Sequence, residues 1–274
     1  MGAAEHYLPF RGHLLKYKSP FLVTFRCDLV GESVCATLVS ARGRADMLRT
    51  DCIMVVMRII AGRFKGFELT TPKSGTRPTT DRAKEAIFSH LLSIGIIDDA
   101  RVLDLFAGSG ALGIEALSRG AQSLVAVESA GQAASMLGKT LTRLRHSKAW
   151  DAAMSARMVK AKAEKFASAP NGTFDLIFID PPYAFATESC NELLRNLVGQ
   201  GLADPRGVIM LERSARSDDP VAPTGWEITQ TRQYGETAVF YFERELEDSA
   251  EIEQSEESDD SDDSGNQPTA EGNA

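Results

Sequence analysis

Residues 101–113 read Arg101-Val102-Leu103-Asp104-Leu105-Phe106-Ala107-Gly108-Ser109-Gly110-Ala111-Leu112-Gly113. A short apolar run delivers a carboxylate and an aromatic ring to a Gly-x-Gly loop, and a helix-forming run, Ala111 to Ser118, follows at once. Open α/β sheets bind ligands outside the carboxyl ends of such strands. Gly108 and Gly110 lack a Cβ, so the backbone can turn sharply there and a cofactor can lie against bare peptide. The next apolar run, Ser123 to Glu128, ends in a carboxylate suited to accepting two hydrogen bonds from ribose hydroxyls.

Outward from this loop the chain alternates. Helical spacing over Ala130 to Leu144 and Glu188 to Leu197 separates strand-like runs at Arg157 to Lys160, Phe174 to Asp180 and Gly207 to Glu212. Near-continuous apolar strands separated by helices specify a parallel sheet covered on both faces. The last two runs, Gly225 to Thr231 and Thr237 to Phe242, are joined by a turn at Tyr234, Gly235 and Glu236 and predict an antiparallel hairpin that finishes the sheet. Upstream, strands are expected at Arg58 to Gly62 and Phe67 to Thr70. A polar stretch, Pro72 to Thr80, then leads into a helix with Ala83, Ile87 and Leu91 on one face.

Charge divides the 274 residues unevenly. Residues 243–274 hold 13 carboxylates against Arg244, so the net charge of −8 reflects this tail, and the rest of the chain is slightly basic. The acidic isoelectric point therefore does not argue against a nucleic-acid partner. Three segments are expected: residues 1–56 as an N-terminal extension that is either not authentic or disordered, with Met57 as a candidate start; residues 57–242 as the folded domain; and residues 243–274 as an acidic disordered tail. Cys27, Cys35, Cys52 and Cys190 form no Cys-x-x-Cys pair and stand at no metal-ligand spacing to a histidine, so no metal and no disulfide framework is expected. No apolar run is long enough for a membrane span and no signal peptide is evident, so the expectation is a cytoplasmic protein.

The second chemical signal is Phe174-Asp175-Leu176-Ile177-Phe178-Ile179-Asp180-Pro181-Pro182-Tyr183. A buried strand carries a carboxylate, two prolines and an aromatic ring to the same sheet edge as the glycine loop. The prolines stiffen the loop and leave its carbonyls free to accept. Such a set suits methyl transfer to an exocyclic amine on a base. Asp180 and the Pro181 carbonyl each accept an amine hydrogen, turning the nitrogen lone pair toward the donor, and Tyr183 stacks on the base. Asp180 either takes the released proton or only orients the amine.

Gly108-x-Gly110-x-x-Gly113, with Glu128 some way downstream, also satisfies the dinucleotide fingerprint, which keeps a nicotinamide-dependent oxidoreductase as an alternative. No Tyr-x-x-x-Lys pair or placed catalytic histidine accompanies it. The Asp104-x-Phe106-x-Gly108-x-Gly110 arrangement instead resembles motif I of the S-adenosylmethionine methyltransferases. Further segments narrow the resemblance: Arg58-Ile59-Ile60-Ala61-Gly62 with Lys65-Gly66, Arg77-Pro78-Thr79-Thr80-Asp81-Arg82, Ala111 through Ala121, and Asp180-Pro181-Pro182-Tyr183. Together, over residues 57–242, they resemble the bacterial 16S rRNA (guanine(966)-N(2))-methyltransferases, the RsmD family.

That resemblance implies an α/β class I S-adenosylmethionine-dependent fold, Rossmann-like, with a seven-stranded, mostly parallel sheet. It implies S-adenosylmethionine held by Asp104, Phe106, Gly108, Ser109, Gly110, Glu128 and Ala163. The catalytic set would be Asp180, Pro181, Pro182 and Tyr183. The substrate would be 16S rRNA, in a small ribosomal subunit particle, acted on by a monomer. Lys162 stands where such enzymes often carry Asp or Asn beside adenine, leaving the Ala163 N–H for that contact. Basic residues ahead of the glycine loop fit phosphate binding, and Arg58, Arg63, Lys65, Arg77, Thr79 and Arg82 are the candidate RNA contacts. An adenine-N6 DNA methyltransferase shares the Asp-Pro-Pro-Tyr chemistry, but residues 57–242 leave no room for a sizeable target-recognition region.

Overall fold

The computed structural model describes residues 6–10, 13–17, 25–29, 32–36, 55–71 and 81–245. Three short antiparallel hairpins come first: β1 (His6–Phe10) with β2 (His13–Tyr17), β3 (Phe25–Leu29) with β4 (Glu32–Ala36), and β5 (Val55–Arg58) with β6 (Glu68–Thr71). The first two lie in the stretch where the sequence shows no periodicity. After them come α1 (Asp81–Ser93), β7 (Arg101–Leu105), α2 (Ala111–Arg119), β8 (Ser123–Val127), α3 (Gly131–Arg145), β9 (Ser155–Val159), α4 (Ala163–Ala167), β10 (Phe174–Ile179) and α5 (Thr187–Gly199). The chain closes with β11 (Ala203–Ser214), β12 (Trp226–Tyr234) and β13 (Thr237–Arg244). The acidic tail beyond Glu245 lies outside the described residues.

One seven-stranded sheet has the order β12-β13-β11-β10-β7-β8-β9. Its strands are parallel from β9 to β11, with β13 and β12 antiparallel at the other edge. The expected parallel sheet and closing hairpin are both present. Every residue of β7 and β8 after the first is buried, as strands covered on both faces require. Alternate side chains feed two cores. On one face Val102, Leu124, Phe178 and Met210 meet Ile87, Phe88, Ile114, Leu117, Leu137 and Leu141 from α1, α2 and α3. On the other, Leu103, Val125, Ile177 and Leu211 meet Phe166 of α4 and Leu193, Leu194 and Leu197 of α5. Each such buried side chain contributes about 1.5–3 kcal/mol.

Three local differences from the sequence reading have physical causes. β5 ends at Arg58 instead of starting there, because the amides of Ile60 and Ala61 are given to the fully buried Glu115 carboxylate of α2, at 2.8 and 3.0 Å. Ser118 completes the dock, its hydroxyl donating to the Ala61 carbonyl and accepting from the Phe64 amide. Gly62 is held at φ +78°, and a Cβ there would lie 1.9 Å from the Ser118 carbonyl oxygen. The conspicuous Arg58-to-Gly62 segment is thus the clasp that fixes the β5–β6 hairpin to α2. β11 begins four residues earlier than expected, at Ala203, with a register shift opposite Phe174 and Leu176. Gly207 makes that irregularity possible, since a Cβ there would sit 2.7 Å from the Asp175 carbonyl oxygen. α4 was not anticipated: its five residues are too few to display a helical period.

Candidate active site

β7, β8 and β10 are parallel neighbours or near neighbours, so the residues ending them share one sheet edge. Asp104 lies one residue before the end of β7 and is 2% exposed. Its Oδ2 accepts the Gly113 N–H of α2 at 3.0 Å, tying the far side of the glycine loop to the strand that launches it. Burial, reinforced by the nearby charge of Glu128 and opposed by the Gly113 hydrogen bond, pushes the Asp104 carboxyl up to about 7.

Phe106 leaves the strand at φ +63°, a conformation that non-glycine residues rarely adopt and that costs on the order of 1 kcal/mol or more. Its ring meets Phe185 edge-on, centroids 5.2 Å apart. Gly108 follows at φ +54° with nothing nearer than 3.9 Å to the position of a Cβ, so the loop presents bare backbone to open space. Ser109 is buried. Gly110, at φ +80°, caps α2, and a Cβ there would come within 2.7 Å of Leu137 Cδ1.

Glu128 follows β8, half-buried. One carboxylate oxygen accepts the Gly108 N–H at 2.8 Å and the other the Ala130 N–H at 2.7 Å. Each oxygen keeps a second lone pair, so Glu128 braces the glycine loop and still has acceptor capacity for two hydroxyls. Ala163 is the first residue of α4, buried, and its N–H falls in the first turn, where amides have no intrahelical carbonyl. Lys162 beside it is exposed.

Asp180 comes directly after β10. Phe178 pairs with Asp104 across β7, and Ile179 pairs with Leu211 across β11, so one further residue sets Asp180 beside Glu212. Alternation along the strands puts Asp104, Asp180 and Glu212 on the same face of three adjacent strands. Removal from water, followed by the negative fields of Glu212 and Asp104, raises the Asp180 carboxyl well above the usual carboxylate range. Pro181 is half-buried, Pro182 exposed, and the Tyr183 ring 59% exposed, presented to whatever approaches the edge.

The candidate RNA contacts are dispersed. Arg58 is exposed at the end of β5 and pairs with Glu68 at 3.2 Å. Arg82 is exposed in the first turn of α1. Arg63 donates to Met154 Sδ at 3.3 Å and its amide bonds the Ser118 carbonyl, which places it by the end of α2 and the turn into β9. That is the sheet edge opposite Asp104, Glu128 and Asp180. Lys65 is exposed in the same turn. Arg77 and Thr79 lie outside the described residues.

Two functional neighbours escaped the sequence reading. Glu212, 8% exposed, sharpens the proton affinity of Asp180; its signal was a charged residue ending an apolar strand. Arg213 beside it is 7% exposed and donates to the Phe185 carbonyl at 2.7 Å and to Thr187 Oγ1 at 3.2 Å, bracing the loop that follows Tyr183. No cluster of metal-ligating side chains occurs among the described residues, and no helix among them is long and apolar enough to cross a membrane.

The family model described as Conserved hypothetical protein 95 matches residues 57–243. The ribosomal RNA small subunit methyltransferase D of Escherichia coli (strain K12) is 33% identical over 198 residues, which cover 72% of this chain and 94% of that protein. The protein of the same name from Haemophilus influenzae is 33% identical over 183 residues, 65% of this chain and 89% of that one. The solved structure of yhhF from Escherichia coli superposes with a TM-score of 0.61 at 33% identity, covering 70% of this chain and 99% of that one.

Proposed function

From a chain that belongs to the ribosomal RNA small subunit methyltransferase D family, we propose a catalyst that moves a methyl group from S-adenosylmethionine to the exocyclic N2 of a guanine in 16S rRNA, acting in the cytoplasm as a monomer on a small-subunit particle. The observation that carries this reading is the single sheet edge that gathers Asp180-Pro181-Pro182-Tyr183 and the open, Glu128-braced glycine loop.

The cofactor's chemistry matches the donor set. Gly108 offers backbone that no Cβ blocks, Glu128 offers two carboxylate oxygens with spare lone pairs for a ribose diol, and the Ala163 N–H is available to an adenine nitrogen. Asp104 holds the loop's shape through Gly113. When bound, S-adenosylmethionine supplies a methyl already activated by a positive sulfur, so the protein's task is to position and desolvate.

Tyr183 stacks the base once it has left its neighbours. Asp180 and the Pro181 carbonyl accept the two amine hydrogens, which aims the nitrogen lone pair at the donor. With the methyl donor bound, Asp180 would take the proton that the amine nitrogen gives up. The raised proton affinity of this carboxylate makes it a better acceptor than an ordinary aspartate. Arg213, through Phe185 and Thr187, keeps the proline loop in register.

The test is transfer of radiolabelled methyl to small-subunit RNA or particles lacking the modification, followed by nucleoside analysis. Labelled N2-methylguanine is the expected product. Methylated adenine, or no transfer to any RNA or particle, overturns the assignment.

A further inference from the structure

Charge is segregated across this domain. Residues 131–168, which form α3, the edge strand β9 and α4, carry eight cations (Lys139, Arg143, Arg145, Lys148, Arg157, Lys160, Lys162, Lys165) against Asp151 and Glu164. Residues 169–245, which build the other edge, carry 12 carboxylates against six cations. All eight cations of the first segment are exposed, as are Arg63 and Lys65 in the β5–β6 turn.

The β5–β6 hairpin joins the same surface. The Arg143 guanidinium lies 4.9 Å from the Phe67 ring centroid, and Arg63 reaches Met154 and Asp151 ahead of β9. Among the described residues, Lys65, Lys139, Lys148, Arg157, Lys160, Lys162 and Lys165 have no carboxylate partner. On the opposite edge Arg195, Arg206 and Arg216 are each paired, with Glu188, Asp204 and Glu236. Guarding an exposed edge strand against pairing takes a charge on the strand, which Arg157 supplies; it does not call for further unpaired cations on both flanking helices, at Lys139 and Lys165, and in the loops that join them to the strand, at Lys148, Lys160 and Lys162.

We propose that the β9 edge, with α3, α4 and the β5–β6 turn, is a phosphate-binding rail for the RNA substrate, engaging backbone beyond the nucleotide that enters the active site. The inference rests on the rRNA reading above. β9 is three strands from β10, about 14 Å at ordinary strand spacing. RNA held on the rail therefore continues across the glycine loop's edge toward Asp180. Phosphate contacts of this kind position a substrate without reading its sequence. The rail also gives Arg63 and Lys65, far from the reacting edge, a role in the same binding event.

The experiment compares the full chain with a combined variant, Lys139→Gln, Lys148→Gln, Arg157→Gln and Lys165→Gln, and with a control on the opposite face, Arg195→Gln, Arg206→Gln and Arg216→Gln. Initial rates of methyl transfer to small-subunit RNA are taken across a salt series, with retention of the same RNA on filters measured in parallel. The rail variant is expected to raise KM at least roughly tenfold at low salt with kcat and cofactor Kd held, and to flatten the logarithmic salt slope by about 3, the contribution of four lost phosphate contacts. The control should match wild type. Unchanged KM and salt slope in the rail variant, or equal weakening by both variants, overturns the rail. Because filter retention reads RNA binding without chemistry, failure of methyl transfer by wild type removes the proposed activity and leaves the rail judged on retention alone.

Discussion

Replacing Asp104 with Asn isolates the energetic cost of keeping a carboxyl in the core at the foot of the cofactor loop. Asn keeps an oxygen for the Gly113 amide but cannot ionise, so the loop's hydrogen bond survives while the titration is removed. In the folded protein the Asp104 carboxyl is pushed up to about 7, mainly by burial, from an ordinary value of 3.8. A raised acid binds its proton more tightly folded than unfolded. Its contribution to stability is therefore present in full below the unfolded value and is lost as pH rises through the folded one.

Between pH 5 and pH 8 the wild type should lose about 2.5 kcal/mol from this group alone, counting 1.36 kcal/mol for each unit over which the unfolded chain is ionised and the folded one is not. Asp104→Asn escapes that loss. It also removes one of the negative fields acting on Asp180, which moves the variant further the same way. The assay is urea unfolding of both proteins at several pH values with slopes compared, so that the difference between them cancels the titrating groups on which Asp104 does not act. The variant should gain on wild type by about 2.5 kcal/mol or somewhat more from pH 5 to 8. Parallel pH profiles would refute the claim that Asp104 is held protonated by its surroundings.

Gly62→Ala should lower stability by about 3 kcal/mol, from a left-handed backbone and a Cβ driven into the Ser118 carbonyl, and a thermal melt should fall by roughly 6–12 °C. Glu115→Ala strands the Ile60 and Ala61 amides and leaves the Arg119 guanidinium with Glu85 as its one carboxylate partner, and about 3–5 kcal/mol should be lost, with Glu115→Gln milder in the same melts. Arg213→Met releases the Phe185 carbonyl and Thr187; kcat should drop roughly 10- to 100-fold with cofactor Kd unchanged in equilibrium titration, whereas an equal loss of both would assign Arg213 to general stability.

The parts of this protein that were readable in its sequence are those whose period and chemistry are local. The run from Val102 to Leu105 into Gly108-x-Gly110 specifies a buried strand, a turn and a helix start by composition alone, and the run from Phe174 to Asp180 does the same for the second half of the site. Their meeting at one edge follows from the parallel topology that the alternation predicts. What stayed hidden depends on contacts between distant segments. Glu115, inside an apolar helix, gives no hint in sequence that it holds the amides of Ile60 and Ala61, residues 55 and 54 positions away. Arg63 precedes the glycine loop in the chain and is a candidate RNA contact by its charge, yet the clasp at Gly62 turns its backbone onto the Ser118 carbonyl at the opposite edge. Glu212 and Arg213 look alike as strand-end charges, and only the pleat separates them: one faces Asp180, the other braces the Phe185 loop.

The most direct test of the account is single-turnover methyl transfer by Asp180→Ala at saturating S-adenosylmethionine, with cofactor Kd measured on the same preparation. A lost amine acceptor at the reacting nitrogen predicts a rate reduced about 100- to 10,000-fold with cofactor affinity within about twofold of wild type. A variant that still methylates RNA at close to the wild-type rate would contradict the assignment of Asp180 to the reacting amine.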